Sequence, residues 1–318
     1  MTAQQADMKM ERTLPMPEAL DVFPPAARTV ARMLDLTLYA DDGMYVAGGD
    51  LHYLACGASG LNAILSALQL ALCPRPGAIL DFGSGAGRVT RWLRAAFPAA
   101  EIGCCDLRSA DLDFCRERFG AHTWVSGIDI RALAAPRRYD LIWLGSVLTH
   151  LSADKSRELL GKMLSWTNAG GLVVASTSGR IAKAKQEREG PFIHAEGWPG
   201  IARQFAATGY GYSDYLDVDG YGLSMTKPSW SARLVETTAG ARLVLLAEQA
   251  WDGLHDILAV QNDGSYAALS PAEAPDARHA EIAALKERVA ALEGSTSWRI
   301  TSPLRRIAGL RRGPATSG

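Results

Sequence analysis

The segment Ala78-Ile-Leu-Asp-Phe-Gly-Ser-Gly-Ala-Gly-Arg-Val-Thr-Arg-Trp92 reads as a buried strand, a glycine turn and the start of a helix within fifteen residues. Ile79, Leu80 and Phe82 form the apolar run of a central parallel strand. Gly83, Gly85 and Gly87 remove side chains where a backbone must turn sharply and approach a ligand. The helix that follows offers its N-terminus to that ligand. A dinucleotide-binding loop requires the spacing G-x-G-x-x-G, and Arg88 stands where its last glycine would fall. The spacing here is G-x-G-x-G, with Asp81 two positions before the first glycine.

That pattern resembles motif I of the class I S-adenosylmethionine (SAM) dependent methyltransferases. The resemblance implies SAM as cofactor, Asp81 as a carboxylate that helps hold the amino group of the methionine moiety, and close backbone approach along Phe82, Gly83, Ser84, Gly85 and Gly87. Glu101-Ile-Gly-Cys-Cys-Asp106 reads as the second strand. A carboxylate roughly twenty residues after the glycine loop, at the tip of a neighbouring strand, is placed to accept both ribose hydroxyls of a nucleoside. The family assigns Asp106 that role, with Leu107 beside the adenine; the alternative is an aspartate that caps the next helix. The loop Gly127-Ile128-Asp129 lies where the family reads the adenine. Asp129 either accepts from the adenine amino group or begins the short helix at Ile130. A further strand, Tyr139-Asp-Leu-Ile-Trp-Leu-Gly145, leads into Ser146, and the resemblance places Gly145 and Ser146 on the methyl-donor pocket.

Working outward, five β/α units in succession require a parallel, doubly wound sheet. Pro228 to Thr238 reads as the last helix, and Leu243 to Glu248 with Asp256 to Gln261 match the family's closing antiparallel hairpin. The expected fold class is therefore α/β: a doubly wound, seven-stranded Rossmann-like methyltransferase sheet with a closing antiparallel hairpin, plus a C-terminal helical and basic tail. The expected boundaries are an N-terminal segment and cap at 1–57 and a SAM-binding domain at 58–262, with an insertion at 179–230 facing substrate. A linker at 263–277 and a short amphipathic helix with basic tail at 278–318 follow. Within the first segment Ala26 to Tyr39 has helical apolar spacing, Asp41 to Ser59 carries turn signals and reads as a loop near the cofactor mouth, and Leu61 to Leu72 reads as a buried helix.

Composition bounds the function. The chain has 318 residues, 48% of them hydrophobic, enough for one large core with appendages. A net charge of −1 gives no polyanion bias, so nucleic acid is not an expected partner. Five cysteines without a C-x-x-C pair argue against a disulfide framework and a zinc site, and fit a reducing cytosol. No metal is expected, since acidic and histidine ligands are not concentrated anywhere. Met1 to Leu20 has no signal-peptide core, and no window is expected to reach the roughly eighteen apolar residues of a membrane span. A soluble cytoplasmic protein follows.

The insertion after Gly179 carries His194, Trp198, Phe205, Tyr210, Tyr212, Tyr215, Tyr221 and Trp230 among glycines. Such rings either wall a flat hydroxylated acceptor such as a sugar or pack the insertion onto the core. Ile282, Leu285, Val289 and Leu292 form a two-heptad stripe able to dock or weakly dimerise. The stretch Ser295-Thr-Ser-Trp-Arg-Ile-Thr-Ser-Pro-Leu-Arg306 resembles a short element of bacterial polysaccharide-assembly glycosyltransferases and their associated methyltransferases. It implies a glycan acceptor and contact of 278–312 with a glycosyltransferase or the inner membrane face; the alternative is a solvated tail.

The expected chemistry is in-line methyl transfer from SAM to a sugar hydroxyl, with a base to take the proton. His150, just past the fourth strand, is the first candidate, and His194 and His255 follow. Each alternatively packs or bonds to backbone. Two other readings stand beside this one: methyl transfer to a small metabolite or a carboxylate, and a catalytically idle SAM-binding partner in polysaccharide assembly.

Overall fold

The computed structural model describes residues 11–190, 193–216, 218–265 and 285–289. The chain forms two units, Met1–Ala268 and Leu269–Gly318. In the second, residues 285–289 are an exposed helical turn bearing Leu285 and Val289. Most of the expected linker, the rest of the apolar stripe and the basic tail with its Ser295–Arg306 element lie outside the described residues.

The first unit is built on strands β1 (Ala78–Phe82), β2 (Glu101–Asp106), β3 (His122–Val125), β4 (Tyr139–Leu144), β5 (Thr167–Thr177), β6 (Tyr210–Tyr215), β7 (Val218–Thr226), β8 (Ala241–Trp251) and β9 (His255–Asn262). Its main helices are α1 (Asp50–Leu70), α2 (Thr90–Ala96), α3 (Ser109–Phe119), α4 (Ala153–Trp166), α5 (Arg180–Glu189), α6 (Trp198–Thr208) and α7 (Pro228–Glu236). Seven strands make one sheet in the order β8-β9-β5-β4-β1-β2-β3. Strand β9 is antiparallel to both neighbours, and the other pairs are parallel. This is the doubly wound sheet with a closing hairpin that the sequence predicts.

Strand β1 is buried at every position, as a central parallel strand covered on both faces must be. Successive residues feed opposite layers: Ile79 joins the core under α1, α2 and α3, and Leu80 the core under α4 and α7. The chain winds β1, β2, β3 to one side and β4, β5 to the other, so the order reverses between β1 and β4. In open α/β sheets the crevice beyond the strand ends at such a reversal is where ligands bind.

Local chemistry explains most element ends. Ser152 caps α4 by accepting from the Lys155 amide, Gly120 and Gly209 end α3 and α6 in the left-handed conformation, and Pro228 opens α7. The insertion holds α5, α6 and a separate two-stranded sheet, β6–β7.

Three expectations are corrected. Residues 26–39 do not form one helix: a single turn at Pro25–Arg28, a 3-10 turn at Ala31–Met33 and a short strand at Thr37–Leu38 replace it. Only Ala27 and Ala31 of the two turns are buried, too small an apolar stripe to hold a longer helix. Helix α1 also begins inside the stretch read as a loop. Gly57 lets it pack closely: a Cβ there would meet Trp92 Cδ1 at 2.4 Å and the Arg88 carbonyl at 2.5 Å. Finally, by length and composition α1 is apolar enough to cross a membrane, although 61% of its most apolar window is buried inside the fold. The expectation that no segment reaches that length overlooked it because polar residues at its start break the run.

Candidate functional site

At the reversal point the carboxyl ends of β1, β2 and β4 open into a cavity of about 520 Å³. That is the size of a small-molecule site. Its floor is the glycine loop. Gly83, Gly85 and Gly87 have φ of +78°, +50° and +81°, a backbone path that only glycine follows without strain. A Cβ on Gly83 would come within 2.7 Å of Val147 Cγ2, whereas one on Gly85 would meet nothing within 4 Å. Gly85 therefore leaves the cavity itself open, and Gly87 serves packing: its missing Cβ would strike Phe119 at 2.4 Å, and it does not line the cavity.

Asp81 ends β1 on the cavity, fully buried, with its Oδ2 accepting from Thr90 Oγ1 at 2.6 Å. Burial pushes its carboxyl up to about 7, with the Thr90 bond opposing the rise. Asp106 at the end of β2 is held by backbone: Gly85 N donates to Oδ2 at 2.8 Å, and Leu107 N and Arg108 N donate to Oδ1 at 2.7 and 3.3 Å. The carboxylate thus locks the glycine loop to the tip of β2. Asp111 is buried beside them, its Oδ1 without a hydrogen-bond partner, and burial raises it to about 6 despite Arg108 at 3.5 Å.

Phe82, Ser84, Leu107, Ile128, Gly145 and Ser146 all line the cavity. Asp129 does not; its Oδ1 accepts from the Arg131 amide at 3.0 Å, so it starts the following turn. Ser146 takes a left-handed backbone, φ +59°, uncommon for a residue with a side chain, and is fixed by its amide donating to Ser176 Oγ at 2.7 Å. The chain then tightens into the 3-10 turn Leu148–His150.

His150 lines the cavity. Its Nδ1 lies 2.9 Å from the Gly222 carbonyl, which can only accept, so Nδ1 carries the proton and Nε2 keeps its lone pair. Tyr215 Oη is 3.1 Å from the same Nδ1, and the Tyr221 ring stacks on the imidazole at 4.8 Å. Desolvation holds His150 below its ordinary pKa, leaving it neutral near pH 7.

The other two histidines are placed differently. His194 sits outside the cavity lining, its ring edge-on to Tyr215 at 5.2 Å and its Nε2 buried without a partner. His255, pushed down to about 4 mainly by burial, packs on Trp251 at 5.3 Å and also lies off the lining. Neither position brings a proton acceptor to the cavity wall.

The aromatic insertion divides. Trp198 and Phe205 pack with Ile201, Leu223 and Met225, and Tyr210 stacks with Trp230 at 4.3 Å in the main core. Among the described residues of the insertion, only the hairpin tip, with Val218, Gly220 and Tyr221, reaches the cavity. The hairpin hangs from the β4–α4 connection by backbone oxygens: Lys155 Nζ donates to Gly220 O at 2.8 Å, Ser224 Oγ to Leu148 O at 3.0 Å, and the Tyr210 hydroxyl to Leu151 O.

Sequence reasoning missed Asp42, Met44, Arg88, Arg108, Asp111, Trp143 and Trp251, all of which line the cavity. Asp42 and Met44 come from the N-terminal cap, where Asp42 is pinned by the Tyr53 hydroxyl at 2.5 Å. Only the Asp-Asp-Gly turn signal hinted at them. Among the described residues no cluster of three or more His, Cys, Asp or Glu is arranged to hold a metal ion.

Four carboxyl groups, Asp42, Asp81, Asp106 and Asp111, thus face two guanidinium groups, Arg88 and Arg108. An excess of acid over base suits a ligand with net positive charge, such as SAM, whose sulfonium and ammonium outnumber its carboxylate. The glycine cradle and the uncompensated Asp81 fit that cofactor.

Residues 80–173 match the family model described as "Methyltransferase domain". The chain is 33% identical over 110 residues to the malonyl-[acyl-carrier protein] O-methyltransferase of Halalkalibacterium halodurans, covering 33% of this chain and 40% of that protein. It is 30% identical over 115 residues to the enzyme of the same name from Anoxybacillus flavithermus, covering 36% and 43%. The matched region is thus about two fifths of the length of these relatives. A SAM-dependent methyltransferase structure from Clostridium acetobutylicum aligns with a TM-score of 0.46 at 12% identity, over 65% of this chain and 92% of that one. Strand order, rather than that score, assigns the fold: residues 80–173, which match the methyltransferase family model, lie within a seven-stranded, doubly wound sheet closed by an antiparallel hairpin.

Proposed function

We propose that this chain is a SAM-dependent O-methyltransferase acting on a hydroxyl acceptor, with His150 as general base. One arrangement carries the reading: the cofactor cradle of Asp81, Gly83, Gly85 and Asp106 and the neutral imidazole of His150 line a single cavity. Bound SAM supplies an electrophilic methyl group whose sulfonium leaves as a neutral thioether.

The chain's own residues would then do four things. Asp81 receives the ammonium of the cofactor, and the free acceptor directions of Asp106 receive ribose hydroxyls. Leu107 and Ile128 flank the adenine. The hairpin tip with Tyr221 closes the acceptor side and excludes water. His150 Nε2 accepts the proton of the attacking hydroxyl, while Nδ1–H stays engaged with Gly222 O. Holding the two reactants in line contributes up to roughly 7–11 kcal/mol in well-oriented models, and base assistance a further 10²–10⁴-fold in rate.

The malonyl-[acyl-carrier protein] relatives favour a second reading, a carboxylate acceptor. A carboxylate is already ionised and needs no base, but it does need a cation beside it. The cavity wall around His150, formed by Val147, Leu151, Val218 and Tyr221, brings none. That wall supports the hydroxyl reading, with apolar surface for the C–H face of a sugar. The tail's resemblance to polysaccharide-assembly proteins supports a glycan acceptor and a partner at 278–312.

Incubation with methyl-labelled SAM and a panel of glycans, small alcohols and malonyl thioesters tests this. Label stable to mild alkali marks an ether and supports the hydroxyl acceptor; alkali-labile label marks an ester and the carboxylate reading. SAM binding without transfer to any of them would indicate the idle partner.

A further inference from the structure

We infer that Arg88 is the residue that binds the α-carboxylate of the cofactor's methionine moiety, an inference that rests on the SAM reading above. Arg88 follows the last glycine of the loop and lines the cavity, with its guanidinium carbon 5.8 Å from the centre of the Trp251 ring. Trp251 is itself fixed, donating from Nε1 to the Cys56 carbonyl at 3.0 Å and packing edge-on to Trp143 at 5.2 Å. The aromatic face therefore holds the cation without neutralising it.

The neighbouring arginines are occupied. Arg91 donates to the Asp35 and Thr37 carbonyls, and Arg94 to those of Phe119 and Ala100. Arg108, the other guanidinium on the cavity, lies 3.5 Å from Asp111 and bonds the Asp41 carbonyl. Among the described residues Arg88 makes no ion pair and no hydrogen bond, so a cavity-facing guanidinium keeps its planar fork of donors for a ligand.

The cofactor carries its ammonium and carboxylate on one carbon, so the residue that takes the second must lie close to the one that takes the first. Arg88 meets that condition: Asp81 pairs with Trp143 across β1 and β4, Trp143 packs on the Trp251 ring that carries Arg88, and Thr90, two residues after Arg88, donates to Asp81 Oδ2 at 2.6 Å. Asp81 and Arg88 together form a complementary pair for a zwitterion, on the Trp143–Trp251 side of the cavity.

Calorimetric titration with two probes tests this: S-adenosylhomocysteine, and its decarboxylated analogue S-adenosyl-3-thiopropylamine. In the wild type the analogue should bind more weakly. Arg88→Gln should weaken S-adenosylhomocysteine by roughly ten- to a hundredfold, the range for a lost charge-assisted contact, while moving the analogue less than twofold. Arg88→Lys should recover part of the loss. Equal weakening of both probes would make Arg88 a packing residue and overturn the inference. So would unchanged binding of both with a raised KM for acceptor, which would place the carboxylate contact on the acceptor instead. If the wild type binds neither probe, the SAM reading itself fails and takes this inference with it.

Discussion

His150 Nδ1 lies 2.9 Å from the carbonyl oxygen of Gly222, so a hairpin seventy-two residues away in sequence sets the tautomer of the histidine on the cavity wall. The carbonyl has no proton to give, and the imidazole must supply it. The opposite nitrogen is thereby left as an acceptor without any carboxylate partner. His150→Ala should keep S-adenosylhomocysteine affinity within about twofold and lower turnover at least tenfold, within the 10²–10⁴ range of base assistance. Unchanged turnover would remove His150 from the mechanism. Because burial lowers its pKa, the acid limb of the turnover profile should lie below 6.5.

On the proposed reading, Asp81 should make cofactor affinity depend on pH. Its folded pKa of about 7 stands above the ordinary 3.8, so the ligand-free fold holds a proton that the unfolded chain has released. Stability of the ligand-free protein should therefore fall as pH rises from about 4 to 7, and Asp111 and Asp256, each raised to about 6, act in the same direction. The cofactor's ammonium favours the ionised carboxylate. S-adenosylhomocysteine affinity should therefore climb between pH 5.5 and 7.5, by up to about tenfold per unit, and level off above. Asp81→Asn should remove the component near 7; a profile unaltered by this change would contradict the assignment.

Gly85 and Gly87 separate binding from packing. Gly87→Ala forces a Cβ against Phe119 at φ +81° and should cost about 2–4 kcal/mol, read as a fall in Tm of roughly 5–15 °C. Gly85→Ala meets no neighbour, so its stability loss should stay near 1–2 kcal/mol while affinity for S-adenosylhomocysteine drops tenfold or more. Equal melting temperatures for the two variants would refute the division.

Lys155→Met cuts the bond from Nζ to the Gly220 carbonyl. The hairpin tip should then hold the acceptor less well. Acceptor KM should rise several-fold, and S-adenosylhomocysteine affinity, which depends on the other wall, should stay within twofold. A loss confined to cofactor affinity would place the hairpin on the wrong side of the cavity.

The strand, the glycine loop and Asp106 were legible because each is a local signal: an apolar run, a glycine spacing and a carboxylate at a strand tip. The sheet followed from repetition of β/α units. What escaped was tertiary. Residues 50–59 read as part of a loop in sequence, and only the Trp92 indole against Gly57 shows a helix packing closely there. Arg88, Asp111 and Trp251 carry no motif, and they reach the cavity because three separate elements converge there. Of the three histidines, only His150 has a positional argument in the sequence, its place just past the fourth strand. Burial against Tyr215 or Trp251 set two of them apart, and a carbonyl across a hairpin singled out the third.

The hairpin is suspended from the β4–α4 connection almost wholly through main-chain oxygens, at Gly220, Gly222, Leu148 and Leu151. The donors in those bonds are the side chains of Lys155, His150, Ser224 and Tyr210, none of them a residue of the tip. The tip residues Val218 and Tyr221 can therefore be exchanged without removing any of these bonds, which would make the acceptor wall of the proposed reading an interchangeable part. Libraries confined to Val218 and Tyr221, with Gly220 kept because its left-handed backbone and the Lys155 ammonium leave no room for a side chain, offer a direct way to test the acceptor wall of the proposed reading.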